Sequence, residues 1–161
     1  MAKDNIKILD VGGHNVVPTL KYPTEAGSTA ILAGEPVKIG GTGAAFAVPV
    51  ANDEPIVGTT LGMLGIAASD SNHTASLNGF VEVHVLLEGV VYEAKASTAA
   101  NVDTQAEINA LMHNLVGFDL ASGVYTLDEN DGVGTGLIIV GGDPIAKTIK
   151  FMVRNAAKHF A

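Results

Sequence analysis

From Phe80 to Lys95 the chain reads FVEVHVLLEGVVYEAK, in which Val81, Val83, Val85 and Leu87 alternate with Glu82, His84 and Glu88. A period of two places apolar side chains on one face of a strand and polar ones on the other, and only Leu86 breaks it. Gly89 predicts a bulge or bend before a second run, Val90–Ala94. Comparable short runs recur between turn signals. Pro36–Ile39 lies between Gly34 and Gly40-Gly41, and Ala44–Val50 stops at Asn52-Asp53. Ile56-Val57 follows, then Leu61–Ala68, closed by Ser69-Asp70-Ser71-Asn72. Val124–Leu127, Leu137–Val140 and Thr148–Val153 complete the series, with a turn at Asp128–Gly136 and a connection through Gly141-Gly142-Asp143-Pro144. Gly, Pro, Asn and Asp at these boundaries supply the backbone geometries that end strands.

A helical period occurs once. Asp103 or Thr104 can cap a helix over Thr104–Asn114, and Glu107, three residues after Thr104, completes a capping box. Ile108, Leu111, Met112 and Leu115 then share one face at three- and four-residue spacing, an apolar stripe suited to packing on a sheet. Gly117 is expected to end the element, so one helix is predicted near 104–115. Eight to ten short strands with one helix predict a mainly β protein, a compact β-barrel or β-sandwich body. A doubly wound parallel sheet would need several crossover helices. No segment of 20 to 50 residues repeats, which excludes a solenoid or propeller.

Residues 1–30 differ from the rest. Two β-type runs, Ile6–Val11 and Val16–Leu20, are split by Gly12-Gly13, and Pro18 and Pro23 disfavour a helix. Three lysines balance Asp4, Asp10 and Glu25, so the segment is neutral and the remainder carries the net charge. Two readings stand. The segment is an extended arm whose Ile6, Ile8, Val11, Val16, Val17 and Leu20 add to a partner's sheet, or it is an edge strand of the same domain. The expected organisation is an extended N-terminal arm over 1–30 and a β-rich body over 31–161.

Composition sharpens this picture. Hydrophobic residues make up 47% and charged residues 16% of the 161 positions, with a mean hydropathy of +0.32. Charged residues in soluble proteins average about 25%, so either the core is large or much of the surface is covered by contacts. The formal net charge is −8 and the pI about 4.9. Nine dispersed Lys and Arg in an acidic chain cannot displace counterions from phosphates, so no nucleic-acid or anionic-membrane partner is expected. The absence of Cys removes disulfide frameworks and thiolate chemistry together. MAKDNIKILDV lacks the apolar core of a signal peptide, and no apolar run approaches the length of a membrane span, so a soluble protein is expected.

Candidate chemistry is sparse. His14, His73, His84, His113 and His159 show no metal-ligand spacing. Asp128-Glu129-Asn130-Asp131-Gly132 is dense in oxygen but lacks the distal Glu of a calcium loop, so a solvated hairpin tip is expected. Gly12-Gly13, Gly40-Gly41-Thr42-Gly43 and Gly141-Gly142-Asp143 carry no P-loop lysine and lead into no helix. Ser28, Ser97 and Ser122 lack a nucleophile motif. Asp53-Glu54 as a glycosidase pair depends on tertiary geometry that sequence does not supply. No catalytic residue, cofactor or metal is assigned, and the chain is expected not to be an enzyme. One asymmetry remains. No acidic residue follows Asp143, while Lys147, Lys150, Arg154 and Lys158 do. Lys150 and Arg154, at even spacing, fall on one strand face that can meet a neighbour's acidic surface or simply face water.

Several features together resemble the capsid decoration, or cement, proteins of tailed bacteriophages. They are the Gly34-Glu35-Pro36-Val37 strand start, the Gly62–Ala68 run leading to Phe80–Lys95, and the single helix Thr104–Leu115. Gly117-Phe118-Asp119…Gly123-Val124-Tyr125-Thr126 and the closing runs Leu137–Val140 and Thr148–Val153 complete the likeness, which is one of layout over residues 31–154. The resemblance implies a β-tulip-like body and a homotrimer on the outer surface of the virion at or near threefold positions. It also implies an N-terminal arm pairing with the major capsid protein. The body is longer than that of the smallest such proteins. The alternative is a carbohydrate- or receptor-binding β-sandwich, against which stand the absence of Trp and an aromatic content of only 5%.

Overall fold

The strand that alternation marks most clearly turns out to be two strands belonging to two different sheets. In a computed structural model, which describes residues 6–11, 13, 16–52, 54, 62–130, 136–154 and 158, the run from Phe80 breaks after Val85. It turns at Glu88-Gly89 and resumes at Val91. Gly89 sits at φ +77, a left-handed conformation that glycine adopts without steric cost. The expected bend is therefore the crossover between sheets.

In chain order the described strands are β1 Lys7–Asp10, β2 Thr19–Thr24, β3 Pro36–Gly40, β4 Phe46–Pro49, β5 Met63–Ala67 and β6 Gly79–Val85. They continue with β7 Val91–Lys95, β8 Leu115–Ala121, β9 Val124–Asp128, β10 Leu137–Asp143 and β11 Thr148–Val153. One helix, α1, spans Gln105–Leu111 between β7 and β8. A six-stranded sheet has the order β1-β7-β11-β10-β8-β9 and a five-stranded sheet the order β2-β6-β5-β3-β4. The pairings within both are antiparallel. Ile56-Val57, expected as a short strand, lies outside the described residues.

The five-stranded sheet curls until its edge strands β2 and β4 touch, although they share no ladder. Val37, Ala47, Leu64, Ala67, Val81 and Val83 fill the inside of the curl with Ile31. A larger cluster lies on the six-stranded sheet and includes Tyr92, Phe118, Tyr125, Leu127, Ile139, Ile149 and Phe151. Met63 and Ile66 of β5 join that larger cluster while Leu64 and Ala67 join the smaller. β5 therefore has no wet face and is buried at all five residues, which is why its sequence shows no alternation. The six-stranded sheet also curls: Ala96, just after β7, bridges to Leu127 of β9. Neither ladder closes continuously, so of the two expected architectures the sandwich forms and the barrel does not.

Prolines mark the edges. Pro23 lies within β2 and Pro49 ends β4, the two outer strands of their sheet, where a missing backbone donor breaks no ladder. Pro23 therefore disfavours a helix, as expected, without ending the strand that runs from Thr19.

The capping box of α1 forms as the sequence predicts. Thr104 accepts from the Glu107 backbone N–H while the Glu107 carboxylate accepts from the Thr104 backbone. Hydrogen bonds from Thr104, and then from Asp103, hold the Glu107 carboxyl below its usual range. The helix is shorter than expected. Met112 leaves the helical region at φ −55, ψ 132, and His113 is left-handed at φ 68. The His113 N–H then donates to Ile139 and the Ile139 N–H to Asn114. Pairing with β10 thus captures the chain, and Leu115 and Gly117, expected to finish the helix, begin β8 instead. Tertiary pairing overrides the local stripe, of which Ile108 is buried and Leu111 packs on the core.

The N-terminal segment is not a projecting arm over its described residues. β1 pairs with β7 and β2 with β6, so residues 6–24 supply one edge strand to each sheet. The physical reason is Ile6 and Ile8: Ile6 is 5% exposed and Ile8 packs against the main core, and apolar anchors of this size outweigh a free edge.

Candidate interaction surface

The six apolar residues singled out in the N-terminal segment divide into two groups. Ile6 is buried, Ile8 and Val17 pack on the main core, and Val11 is half-buried. Val16 is 70% and Leu20 53% exposed. Leu9, 47% exposed, joins them, and it was not among the predicted residues. It lies where the β1–β7 register shifts between Ile8 and Asp10. Its signal was present in the alternation of Lys7, Ile8 and Leu9, which sets Leu9 opposite the inward Ile8. Leu9, Val16 and Leu20 form an exposed apolar series on the segment that leads from the edge of one sheet to the edge of the other.

Of the two cations expected to share a face of β11, only Lys150 lies within the strand. Ile149, Phe151 and Val153 point into the core, and Lys150 takes the opposite face. Lys150 sits in register with Glu93, and Glu93 with Lys7, giving a row of alternating sign across three strands. Thr148 Oγ1 donates to Glu93 Oε1 at 2.7 Å. Arg154 follows the strand, exposed, with its backbone N–H bonded to Gly136. Beside this row runs an apolar one, Leu115–Ile138–Met152, again in register across β8, β10 and β11. Fixed alternation of charge favours orientation of a contact more than its affinity.

The oxygen- and glycine-rich loops have structural occupations. Glu129, expected at a solvated tip, is 5% exposed. Its carboxylate accepts from the backbone and hydroxyl of Ser97, the backbone of Thr98 and the side chain of Asn101. The end of β9, which forms no hairpin with β10, is thereby tied to the turn after β7, a tertiary link that sequence spacing does not show. Glu129→Ala removes the acceptor of the Thr98 N–H and the Asn101 side chain, while the Ser97 N–H keeps the Leu127 carbonyl, and is expected to cost about 2–3 kcal/mol, read from urea unfolding. Glu25 accepts from the Thr42 N–H, so a donor of the Gly40–Gly43 loop is taken from within the chain. Hydrogen bonding from the Thr42 side chain, and then from its backbone, holds the Glu25 carboxyl below its usual range. Glu54 pairs with Lys38 and accepts from the Ala51 N–H, a structural role; Asp53 lies outside the described residues.

Of the histidines, His73 bonds Ser28 across a loop through Nε2, and His113 holds the turn after α1; His14 and His159 lie outside the described residues. Among the described residues no group of three or more His, Asp or Glu is placed to hold a metal ion, and no helix is long and apolar enough to cross a membrane. A cavity of about 40 Å³ is lined by Met63, Leu64, Val85, Leu86 and Lys158. Lys158 is 6% exposed, and burial pushes its pKa down while Glu88 opposes the shift. The space suits a water molecule, not a sugar.

Comparison with protein-family models, with curated proteins and with solved structures returns no match.

Proposed function

We propose that this chain is a structural protein that binds the outside of an assembled icosahedral capsid and reinforces it. In this reading it acts as a homotrimer at or near threefold positions, with its N-terminal segment against the major capsid protein. The observation that carries the reading is the exposed series Leu9, Val16 and Leu20. Large aliphatic side chains held in water gain about 1.5–3 kcal/mol each when covered. Set on a segment at the margin of both sheets, they are placed for contact with another molecule rather than for the core.

The layout of residues 31–154, with its resemblance to decoration proteins, supports the choice of a shell as that molecule. A protein that binds assembled shell and not free subunits stabilises the shell by mass action, and symmetry multiplies modest contacts into a tight attachment. The alternating row Lys7–Glu93–Lys150 adds orientation without strong attraction.

The test is co-sedimentation with assembled heads of the encoding phage. Leu9→Asp/Val16→Asp/Leu20→Asp changes only exposed positions, so its circular dichroism should match the parent while its affinity for heads drops at least tenfold. Binding equal to the parent would remove the N-terminal segment from the interface.

A further inference from the structure

Lys158 is buried without a counter-charge. The residue is 6% exposed and bridges in parallel to Met63, the first residue of β5. Among the described residues its ammonium has no hydrogen-bond or ion-pair partner. Glu88, exposed on the crossover between β6 and β7, acts on it only from beyond ion-pair distance. A charge taken out of water is costly unless an opposite charge replaces the lost hydration. Burial accordingly lowers the Lys158 pKa, and the distant Glu88 only opposes that shift.

The space beside this cation selects what can complete it. Lys158 lines a partly open cavity of about 40 Å³, whose other walls among the described residues are Met63, Leu64, Val85 and Leu86. These four side chains carry no charge. One water needs about 10–15 Å³ of such space, so the cavity has room for roughly three water-sized atoms and still rejects a sugar. A single ammonium calls for a single negative charge, and a chain of net charge −8 repels multiply charged anions. A carboxylate group meets these conditions. It has three heavy atoms and one charge, and its two oxygens accept charge-assisted hydrogen bonds from an ammonium.

The cavity also adjoins the segment that carries the exposed apolar series. The Val85 N–H donates to the Pro18 carbonyl, and Leu20 is in register with Val83, two residues before Val85. Val16 and Leu20 are therefore close in the chain to a residue bonded directly to the cavity wall.

We infer that the cavity at Lys158 is a carboxylate-binding site, filled by a small free acid or by an Asp or Glu side chain of the shell protein. The site itself is independent of capsid binding; only the second source of the carboxylate rests on that reading.

Full-length protein at one fixed concentration is titrated with sodium formate, the ionic strength being held constant with sodium chloride. Its Tm is expected to rise saturably by about 2 °C or more, as binding to the folded state alone requires. Lys158→Met replaces an unpaired buried charge by apolar atoms of similar length and is expected to fold, and to show no formate-dependent rise. Lys158→Gln should behave as Lys158→Met does. No rise in the parent beyond the chloride control, or an equal rise in both variants, overturns the site. Assembled heads then separate the two sources. Where the shell supplies the carboxylate, formate competes with heads and Lys158→Met binds them about tenfold more weakly. Where a free acid supplies it, neither formate nor the substitution changes affinity for heads, and the site stands. A protein that ignores heads sinks capsid binding, and the formate titration still decides the site.

Discussion

Phe151→Ala is expected to lower stability by about 3–5 kcal/mol, with a fall in Tm of roughly 2–4 °C for each kcal/mol. Phe151 is fully buried and sits between two other rings. It stacks on Tyr92 at 5.6 Å and meets Phe118 edge-to-face at 5.9 Å, and Phe118 in turn meets Tyr125 at 6.0 Å. These residues come from β7, β8, β9 and β11, so the ring cluster ties together strands that are distant in sequence. Removing the central ring leaves a cavity that the surrounding ladders cannot collapse to fill. Tyr125 is fixed further by its hydroxyl, which donates to the Val50 carbonyl and so links this cluster to the end of β4. Phe151→Leu should cost much less, because most of the volume is kept. Urea unfolding at one fixed protein concentration measures both, since stability in an oligomer depends on concentration.

Gly65→Ala is expected to destabilise by about 3 kcal/mol, at or above the usual range for overpacked cores. A Cβ at Gly65 would stand 1.9 Å from the His84 carbonyl oxygen and 2.7 Å from Val83 Cγ1. The nearer obstacle is backbone of the paired strand β6, and no side-chain rotation relieves it. β5 and β6 would have to separate at the place where the two cores share a strand. Gly141→Ala provides the control. There the nearest atom to a Cβ is Lys150 Cδ at 3.8 Å, an ordinary contact, and the change should stay within about 1 kcal/mol. If both substitutions behaved alike, close approach of β5 and β6 would not be what requires glycine at position 65.

Local features were legible wherever local chemistry decides them. Thr148–Val153 has the bounds its sequence predicts, because Ile149, Phe151 and Val153 recur at a period of two and only Met152 on the other face is apolar. Thr104 and Glu107 announced their helix start through a reciprocal hydrogen bond that spans three residues. The rest depends on partners far away in sequence. Leu115 fits a helical stripe until Ile139 and Asn114 pair, and only then does it start a strand. The alternation from Phe80 to Lys95 says nothing of a change of sheet at Gly89. Burial of both faces of Met63–Ala67 requires two separate cores, and nothing within five residues encodes that. Glu129 reads as a turn residue until Ser97, Thr98 and Asn101 converge on it from the segment after β7. The N-terminal segment shows the same limit from the opposite direction. Its apolar content was plain, but whether Ile6 and Val16 enter a core or stay exposed depends on how the segment pairs with β7 and β6, and the answer differs between them.

The proposed attachment to an assembled surface is tested most directly by one binding measurement. Full-length protein is titrated against intact heads and, separately, against dissociated major capsid subunits, with bound protein counted per shell. Saturable binding to heads in multiples of three per threefold site, at least tenfold tighter than to free subunits, is the predicted result. Equal affinity for both, or no binding to heads at saturating concentration, would contradict it.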